Sequence, residues 1–214
     1  MTFREYLDYR WEDILFYTFQ HIQVVFIAVG IAALISIALG LLVQGRAIPR
    51  QIVLTVTATM LTIPSFAVFG LFIPLFGLGA LPTIVALTLY AIFPILRNVV
   101  TGLESVPAEV EEAAKGMGLS SARRMFVVRV PMAWPVLLNG IRIATILCVA
   151  IAAIAAAVNG PGLGQLIFEG LARIGGANSL NAALTGVLGV MIVALVLDMF
   201  FVLITRLTTS RGIR

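Results

Sequence analysis

A chain of 214 residues with 61% hydrophobic and only 11% charged content is too apolar for a soluble globular domain. Its mean hydropathy of +1.10 places it in a bilayer. The formal net charge of +4 and the pI of about 9.8 then call for no nucleic-acid partner, because a bias of Lys and Arg to one side of a membrane accounts for both.

The opening stretch, MTFREYLDYRWEDILFYTFQH, repeats Phe3, Leu7, Trp11, Ile14 and Thr18 at helical spacing, with Glu5, Asp8 and Glu12 on another face. This predicts a helix lying in the outer membrane interface, with Tyr6, Tyr9, Trp11 and Tyr17 at headgroup level. A secretory signal peptide is disfavoured: the start is acidic as well as basic, the apolar run that follows is too long, and no small-residue cleavage site succeeds it. His21, the single histidine, is expected at the water boundary in an interfacial role.

Five apolar runs follow, at Ile22 to Val43, Ile52 to Phe76, Leu81 to Leu96, Trp134 to Val158 and Ala182 to Leu203. Their length and lack of period-two alternation predict membrane helices and exclude a barrel. With no internal repeat or low-complexity linker, residues 1–214 are expected to form a single transmembrane domain. Pro64, Pro74, Pro82 and Pro94 cluster in the second and third runs. They either set helix angles for packing or mark broken helices along a conduction path, which makes Pro64 and Ser65 candidate path residues.

Placing the segment from Arg97 to Pro131 in the cytoplasm collects Arg97, Lys115, Arg123, Arg124 and Arg129 there. Arg46, Arg50, Arg206, Arg211 and Arg214 join them, Arg142 enters its span from that side, and Arg4, Arg10 and Arg173 stay outside. The N-terminus is therefore expected outside and the C-terminus inside.

Within that cytoplasmic segment lies EEAAKGMGLSSARRMFVVRVP, the most charged stretch of the chain. Ser105 is a candidate N-cap, Pro107 suits a first turn, and Glu109, Glu111 and Glu112 favour a helix N-terminus. Val110, Ala113, Ala114 and Met117 form one shallow apolar face, and Gly116 or Gly118 supplies the left-handed residue that ends the helix. A second short helix is expected from Ser120 or Ser121, through Arg123 and Arg124, stopping before Pro131. Small alanines let a partner's groove approach closely, so this helix-turn-helix is predicted to dock a soluble protein.

Cys148, the single cysteine, is expected to be a small packing residue inside the fourth span. In NGPGLGQLIFEGLARIGGANSLN, Pro161, Gly162 and Gly164 break the helix, and Leu163, Leu166, Ile167 and Leu171 give the next piece an apolar face. Asp198 is the one acid deep in a span; it either pairs with Arg142 or faces a water-lined path. One histidine and one cysteine on separate segments provide no catalytic or metal constellation, so no enzyme is expected. A secondary transporter, the alternative from another class, would normally show repeated halves and several intramembrane charges.

The charged stretch resembles the EAA loop of permease subunits of ATP-binding cassette (ABC) importers: Glu112-Ala113-Ala114, three residues, Gly118, nine residues, then Val128-Arg129-Val130-Pro131 where the family has Ile-x-Leu-Pro. IPSFAVFGLFIPLFGLGALPTIVALTLYAIFPILRNVVTGLESVP and NGPGLGQLIFEGL resemble the osmoprotectant branch, which imports glycine betaine, choline, carnitine or similar solutes. The resemblance implies an all-α polytopic permease of the type I importer fold, with five transmembrane helices, an N-terminal interfacial helix and a cytoplasmic coupling helix-turn-helix. It implies two cytoplasmic ATPases, a second permease subunit and an external solute-binding protein, with ATP and Mg bound by the ATPases and no cofactor in this chain. Glu111, Glu112, Ala113, Ala114, Met117, Gly118, Leu119 and Pro131 would form the ATPase-coupling loop, with Glu112 holding it by capping or by contact with a basic group. Asn159, Pro161, Gly162 and Gly164 would belong to an outer gate or to the seat of the binding protein, unless this segment is an interfacial loop without contact to solute. An ABC permease for another small solute, such as an amino acid, is the nearer alternative.

Overall fold

The computed structural model describes residues 1–209, and every regular element among them is helical. Arg211 and Arg214, counted in the basic tail, lie outside the described residues. Helix α1 (Phe3–Tyr9) starts at a capping box, in which Thr2 Oγ1 accepts the Glu5 N–H at 3.3 Å and the Thr2 N–H donates to Glu5 Oε2 at 2.9 Å. The N-terminal segment is thus helical as the spacing predicts, but it breaks at Arg10. From Trp11 the chain is already the first spanning helix, α2 (Trp11–Val43), 33 residues without interruption. At about 1.5 Å per residue α2 is roughly 50 Å long against a hydrocarbon core of about 30 Å, so its first turns stand clear of the lipid tails.

That continuity corrects the placement of His21. Residues 21, 24, 25, 28 and 32 fall on one face of α2, and His21, Val24, Val25, Ala28 and Ala32 are all buried. His21 Nε2–H donates to the Val149 carbonyl at 3.1 Å, so the histidine is a core residue and not an interfacial one.

Two helices take the place of the second apolar run, α3 (Ala47–Met60) and α4 (Ser65–Phe76), bent by 92° at the break between them. Fourteen and twelve residues give about 21 and 18 Å, each too short to cross singly, so the pair is either one broken span or a re-entrant loop. The break before Pro64 frees backbone groups, and the Tyr90 hydroxyl donates to the Ile63 carbonyl at 2.6 Å.

Helix α5 (Ala80–Glu104) is the centre of the bundle, packed between α2 and α8 (Val130–Ile154). Between them in sequence lie α6 (Ala108–Gly116) and α7 (Ser121–Arg124). Beyond α8 come a short turn of 3₁₀ helix (Ala155–Val158), then α9 (Gly164–Ala172) and α10 (Ser179–Thr208). Among the described residues four helices are long and apolar enough to cross a membrane, and five crossings result if the bent pair is one span.

Lipid tails are as apolar as leucine, so membrane helices associate through close packing and hydrogen bonds. Here a Cβ on Gly40 of α2 would lie 2.4 Å from Val99 Cγ1 of α5, and one on Gly140 of α8 would lie 2.5 Å from Asn98 Cβ. Ser36 Oγ donates to the Ile92 carbonyl at 3.1 Å. Cys148 is buried as a packing residue, its Sγ 3.5 Å from the Leu87 carbonyl. By contrast only 17% of the α10 spanning window is buried within the chain, and Leu188, Met191, Ile192, Leu195 and Met199 face outward.

Candidate functional site

The first candidate region is the helical turn between α5 and α8. Val106 precedes Pro107 and is disfavoured from the helical conformation, so α5 closes at Ser105. Ser105 is therefore the C-cap of α5, its Oγ donating to the Gly102 carbonyl at 2.8 Å, and not the N-cap of α6, which is Pro107. Glu109 and Glu111 stand in the first turn of α6 and Lys115 in its last, as the helix dipole favours.

The end of α6 is a Schellman motif. The Leu119 N–H donates to the Ala114 carbonyl at 3.2 Å and the Gly118 N–H to the Lys115 carbonyl at 2.9 Å. Gly118 has φ +78°, so of the two candidate glycines it supplies the left-handed residue, and a Cβ there would meet nothing within 4 Å. Of the apolar face, Ala114 is buried at 1% exposure, while Val110, Ala113 and Met117 are exposed, Met117 at 72%.

Ser120 caps α7 through its Oγ, which accepts the Arg123 N–H at 3.4 Å. The second helix does not stop before Pro131, as the proline led us to expect. It widens into a π turn over Met125–Arg129 and continues as α8, with the Val130 N–H reaching the Met125 carbonyl. A wider turn absorbs the missing Pro131 N–H and the bulk of its ring, so the helix-turn-helix is continuous with a spanning helix.

Glu111 staples the two halves together. Its Oε1 accepts from Arg124 Nε at 3.2 Å, its Oε2 accepts from Arg129 Nε, and Arg124 Nη1 donates to the Leu119 carbonyl at 2.9 Å. The contact with basic groups expected of Glu112 is thus made by Glu111, while Glu112 is exposed. The hydrogen bond from Arg129, aided by Arg124, outweighs partial desolvation and holds the Glu111 carboxyl below the ordinary carboxylate range.

Because that folded-state pKa is depressed, the restraint is fully present above the ordinary value of 4.5 and is lost only as pH falls through the depressed one. Loop order is therefore expected to be flat from pH 6 to 8. Glu111→Gln is expected to speed trypsin cleavage after Arg124 by about two- to fivefold at neutral pH, as about 0.5–1 kcal/mol of lost restraint allows. Unchanged cleavage would count against the staple.

At the other end of α8 the glycine-rich segment is a packed hairpin. Asn159 is left-handed at φ +57° and closes the 3₁₀ turn. The Gly160 N–H donates to the Ala155 carbonyl at 2.8 Å, Gln165 Nε2 donates to the Gly160 carbonyl at 2.8 Å, and the Gly79 N–H donates to the Val158 carbonyl at 3.0 Å. Gly162, at φ +124°, lies against His21, where a Cβ would come within 2.7 Å of Nδ1. Pro161 borders a 250 Å³ cavity shared with Gln20, Gln23 and Ile84.

Leu163 and Leu166 are fully buried, Ile167 packs on Gly186 of α10, and Leu171 is exposed. Glu169 accepts from Arg10 at 3.2 and 3.3 Å and from Arg173 at 3.1 Å, tying α9 back to the N-terminal segment. Neither Arg10 nor Glu169 stood out in the sequence, where they are 159 residues apart.

Asp198 is remote from this hairpin, about 18 Å further along α10 than Gly186. It forms a bidentate pair with Arg142, Nε to Oδ1 at 2.6 Å and Nη2 to Oδ2 at 2.8 Å. Arg142 also lines a 420 Å³ cavity with Pro135, Asn139, Val202 and Thr205. Pro64 and Ser65 sit at the break between α3 and α4. The structure therefore gathers Asn159, Pro161, Gly162 and Gly164 in one hairpin and leaves Asp198 and the Pro64–Ser65 break at separate places.

Membrane-length helices around a central α5, with a stapled helix-turn-helix running straight into the fourth crossing, define a polytopic permease of the type I ABC importer fold. Residues 32–210 match the family described as binding-protein-dependent transport system inner membrane component, and the chain belongs to that family. It is 38% identical over 202 residues to the osmoprotectant import permease protein OsmW of Salmonella typhimurium, covering 92% of each chain. It is 32% identical over 202 residues to the glycine betaine/carnitine/choline transport system permease protein OpuCB of Bacillus subtilis, covering 94% of this chain and 91% of that one. Its fold is similar to that in inward-facing structures of the MetNI methionine ABC transporter, with a TM-score of 0.79 at 24% identity over 92% of this chain and 96% of the other.

Proposed function

We propose that this chain is the permease subunit of an ATP-driven, binding-protein-dependent importer of compatible solutes such as glycine betaine, carnitine or choline. Residues 1–214 act as one transmembrane unit in the cytoplasmic membrane, N-terminus outside and C-terminus inside, beside a second permease subunit. Two cytoplasmic ATPases hold ATP and Mg and grip α6, and an external binding protein delivers solute to the face that carries Asn159 to Gly164. The names of the relatives support compatible solutes over amino acids.

One observation carries the coupling role. The exposed, shallow face of Val110, Ala113 and Met117 ends at Gly118 and is stapled by Glu111 to a segment continuous with α8. A partner that shifts this face shifts a spanning helix with it, with no flexible joint to absorb the motion. Glu112, exposed beside Ala113, is then free for the ATPase.

The test is to purify the tagged chain in detergent, identify what co-purifies, and reconstitute the assembly in vesicles. An ATPase and a second permease at equal amounts, with ATP-dependent uptake of radiolabelled glycine betaine, is the expected result. A chain that carries solute undiminished without any ATPase would overturn the proposal.

A further inference from the structure

Where α1 folds over the junction of α9 and α10, the chain encloses a polar cavity of 250 Å³ whose wall includes Tyr6, Arg10, Glu169, Arg173, Asn178 and Ser179. That wall is rich in donors that lack acceptors. Tyr6 is only 4% exposed, yet its hydroxyl has no hydrogen-bond partner, an expensive way to keep a buried polar group. Burial, against the pull of Arg10, holds the Tyr6 phenol above its ordinary value of 10.0, so at neutral pH the hydroxyl keeps its proton to donate.

The start of α10 adds to this. Asn178 is its N-cap, but the Asn178 side-chain oxygen accepts from Asn181 Nδ2 at 3.3 Å and makes no capping bond. Among the described residues no acceptor meets the Leu180 or Asn181 backbone N–H, so the positive end of a 30-residue helix stands open beside the cavity. Arg173, 70% exposed, donates to Glu169 at 3.1 Å in a surface pair of the kind that contributes little. Glu169 is also held by both terminal nitrogens of Arg10, so Arg173 can turn to another anion without stranding that carboxylate.

We propose that this cavity holds the phosphate of a membrane phospholipid, with the Tyr6 hydroxyl, the Arg173 guanidinium and the N-terminus of α10 as its donors. A phosphate has the several acceptor oxygens that such a set of donors needs. Lipid is the source because of what continues from the cavity. Positions 180, 184, 188 and 191 share one face of α10, and Leu180, Leu184, Leu188 and Met191 are exposed there over about 17 Å. An acyl chain tied to the phosphate covers that stripe, which a free ion cannot do. Tyr9 and Trp11, exposed at the same end of the molecule, suit headgroup level.

The test uses the full chain with the subunits that co-purify, stripped of lipid in detergent. Native mass spectrometry reads the Kd of the first phosphatidylglycerol bound, and that of a diacylglycerol with the same acyl chains but no phosphate. The diacylglycerol is expected to bind at least about tenfold more weakly. Tyr6→Phe and Arg173→Gln are each expected to raise the phosphatidylglycerol Kd about tenfold, as loss of a hydrogen bond to a charged group predicts. In lipid-free detergent Tyr6→Phe is expected to leave the thermal midpoint unchanged, since a hydroxyl without a partner has no bond to lose.

Diacylglycerol binding as tightly as phosphatidylglycerol, or a wild-type Kd in both variants, would overturn the assignment. So would a fall in the lipid-free midpoint of Tyr6→Phe, because the hydroxyl would then be bonded within the protein. Displacement of the lipid by an equal concentration of inorganic phosphate would make the occupant a free ion. Lipid that binds the isolated chain but not the chain with its subunits would put an acidic group of a partner in the cavity; either result removes the lipid. None of these readings depends on the solute carried, so the site and the proposed function stand or fall separately.

Discussion

Gly118→Val is expected to cut solute uptake by at least about tenfold while ATP hydrolysis continues and the protein still inserts in the membrane. Residue 118 sits at φ +78°, where an L side chain costs roughly 1–2 kcal/mol and a β-branched one is an outright outlier. Nothing lies within 4 Å of a Cβ there, so the strain is confined to the backbone and the bundle is untouched. What is lost is the Schellman turn, with the bonds from Leu119 and Gly118 that fix where α6 points. Gly118→Ala, with the same strain but no β-branch, is expected to fall between wild type and Val. The ratio of solute moved to ATP hydrolysed, measured in reconstituted vesicles, is the readout. A wild-type ratio in Gly118→Val would sink the coupling role of the loop.

Glu112→Lys separates the loop's two neighbouring acids. It reverses charge on the exposed side while leaving the Glu111 staple in place, so uptake is expected to fall with trypsin cleavage after Arg124 unchanged. Glu111→Gln is expected to raise cleavage. If both variants loosened the loop alike, the division between an inward-facing and a partner-facing acid would be wrong.

The helix-turn-helix was legible because its signals are local. A left-handed glycine at a helix end, acids in a first turn and a serine N-cap depend on neighbours within a few residues, and Gly118, Glu109 and Ser120 behave accordingly. Ser105 did not, because the proline two residues on ends the preceding helix before it can cap the next. Pro131 misled for a different reason: a helix can widen by one residue per turn and carry on, and periodicity holds no trace of that.

Partners distant in sequence were the least legible. No local rule pairs Glu111 with Arg129, or Arg10 with Glu169; those contacts exist only once α6 lies beside the start of α8 and α9 folds back over the N-terminus. Asp198 was found by cost alone, since an acid in a span demands a partner, and Arg142 was the cation entering from the same side. His21 was misplaced because residues 11–21 have enough charge to resemble a surface helix, yet on the face they share with the span Ile14, Tyr17 and Thr18 are half-buried and His21 fully so.

Gly164→Val is expected to remove nearly all folded protein from the membrane, a loss of more than about 3 kcal/mol. A Cβ at residue 164 would lie 2.1 Å from the Ala153 carbonyl oxygen and 2.8 Å from its carbon. Those are backbone atoms of α8, which no rotamer change can move aside. A Cβ at Gly162 meets the His21 ring at 2.7 Å from Nδ1, which a truncation can remove, and also His21 Cα and Cβ at 3.0 Å, which it leaves in place. Gly162→Ala alone is expected to lower the thermal midpoint of the purified assembly, and Gly162→Ala with His21→Ala to cost less than the two added separately. The coupling should be about 0.5–3 kcal/mol, with the strain of φ +124° remaining in the double variant. Strict additivity would mean that the ring and the glycine do not meet. The contrast identifies two anchors of the hairpin: Gly164 lies against the backbone of α8, and Gly162 lies against His21 of α2, which is itself hydrogen-bonded to the Val149 carbonyl of α8.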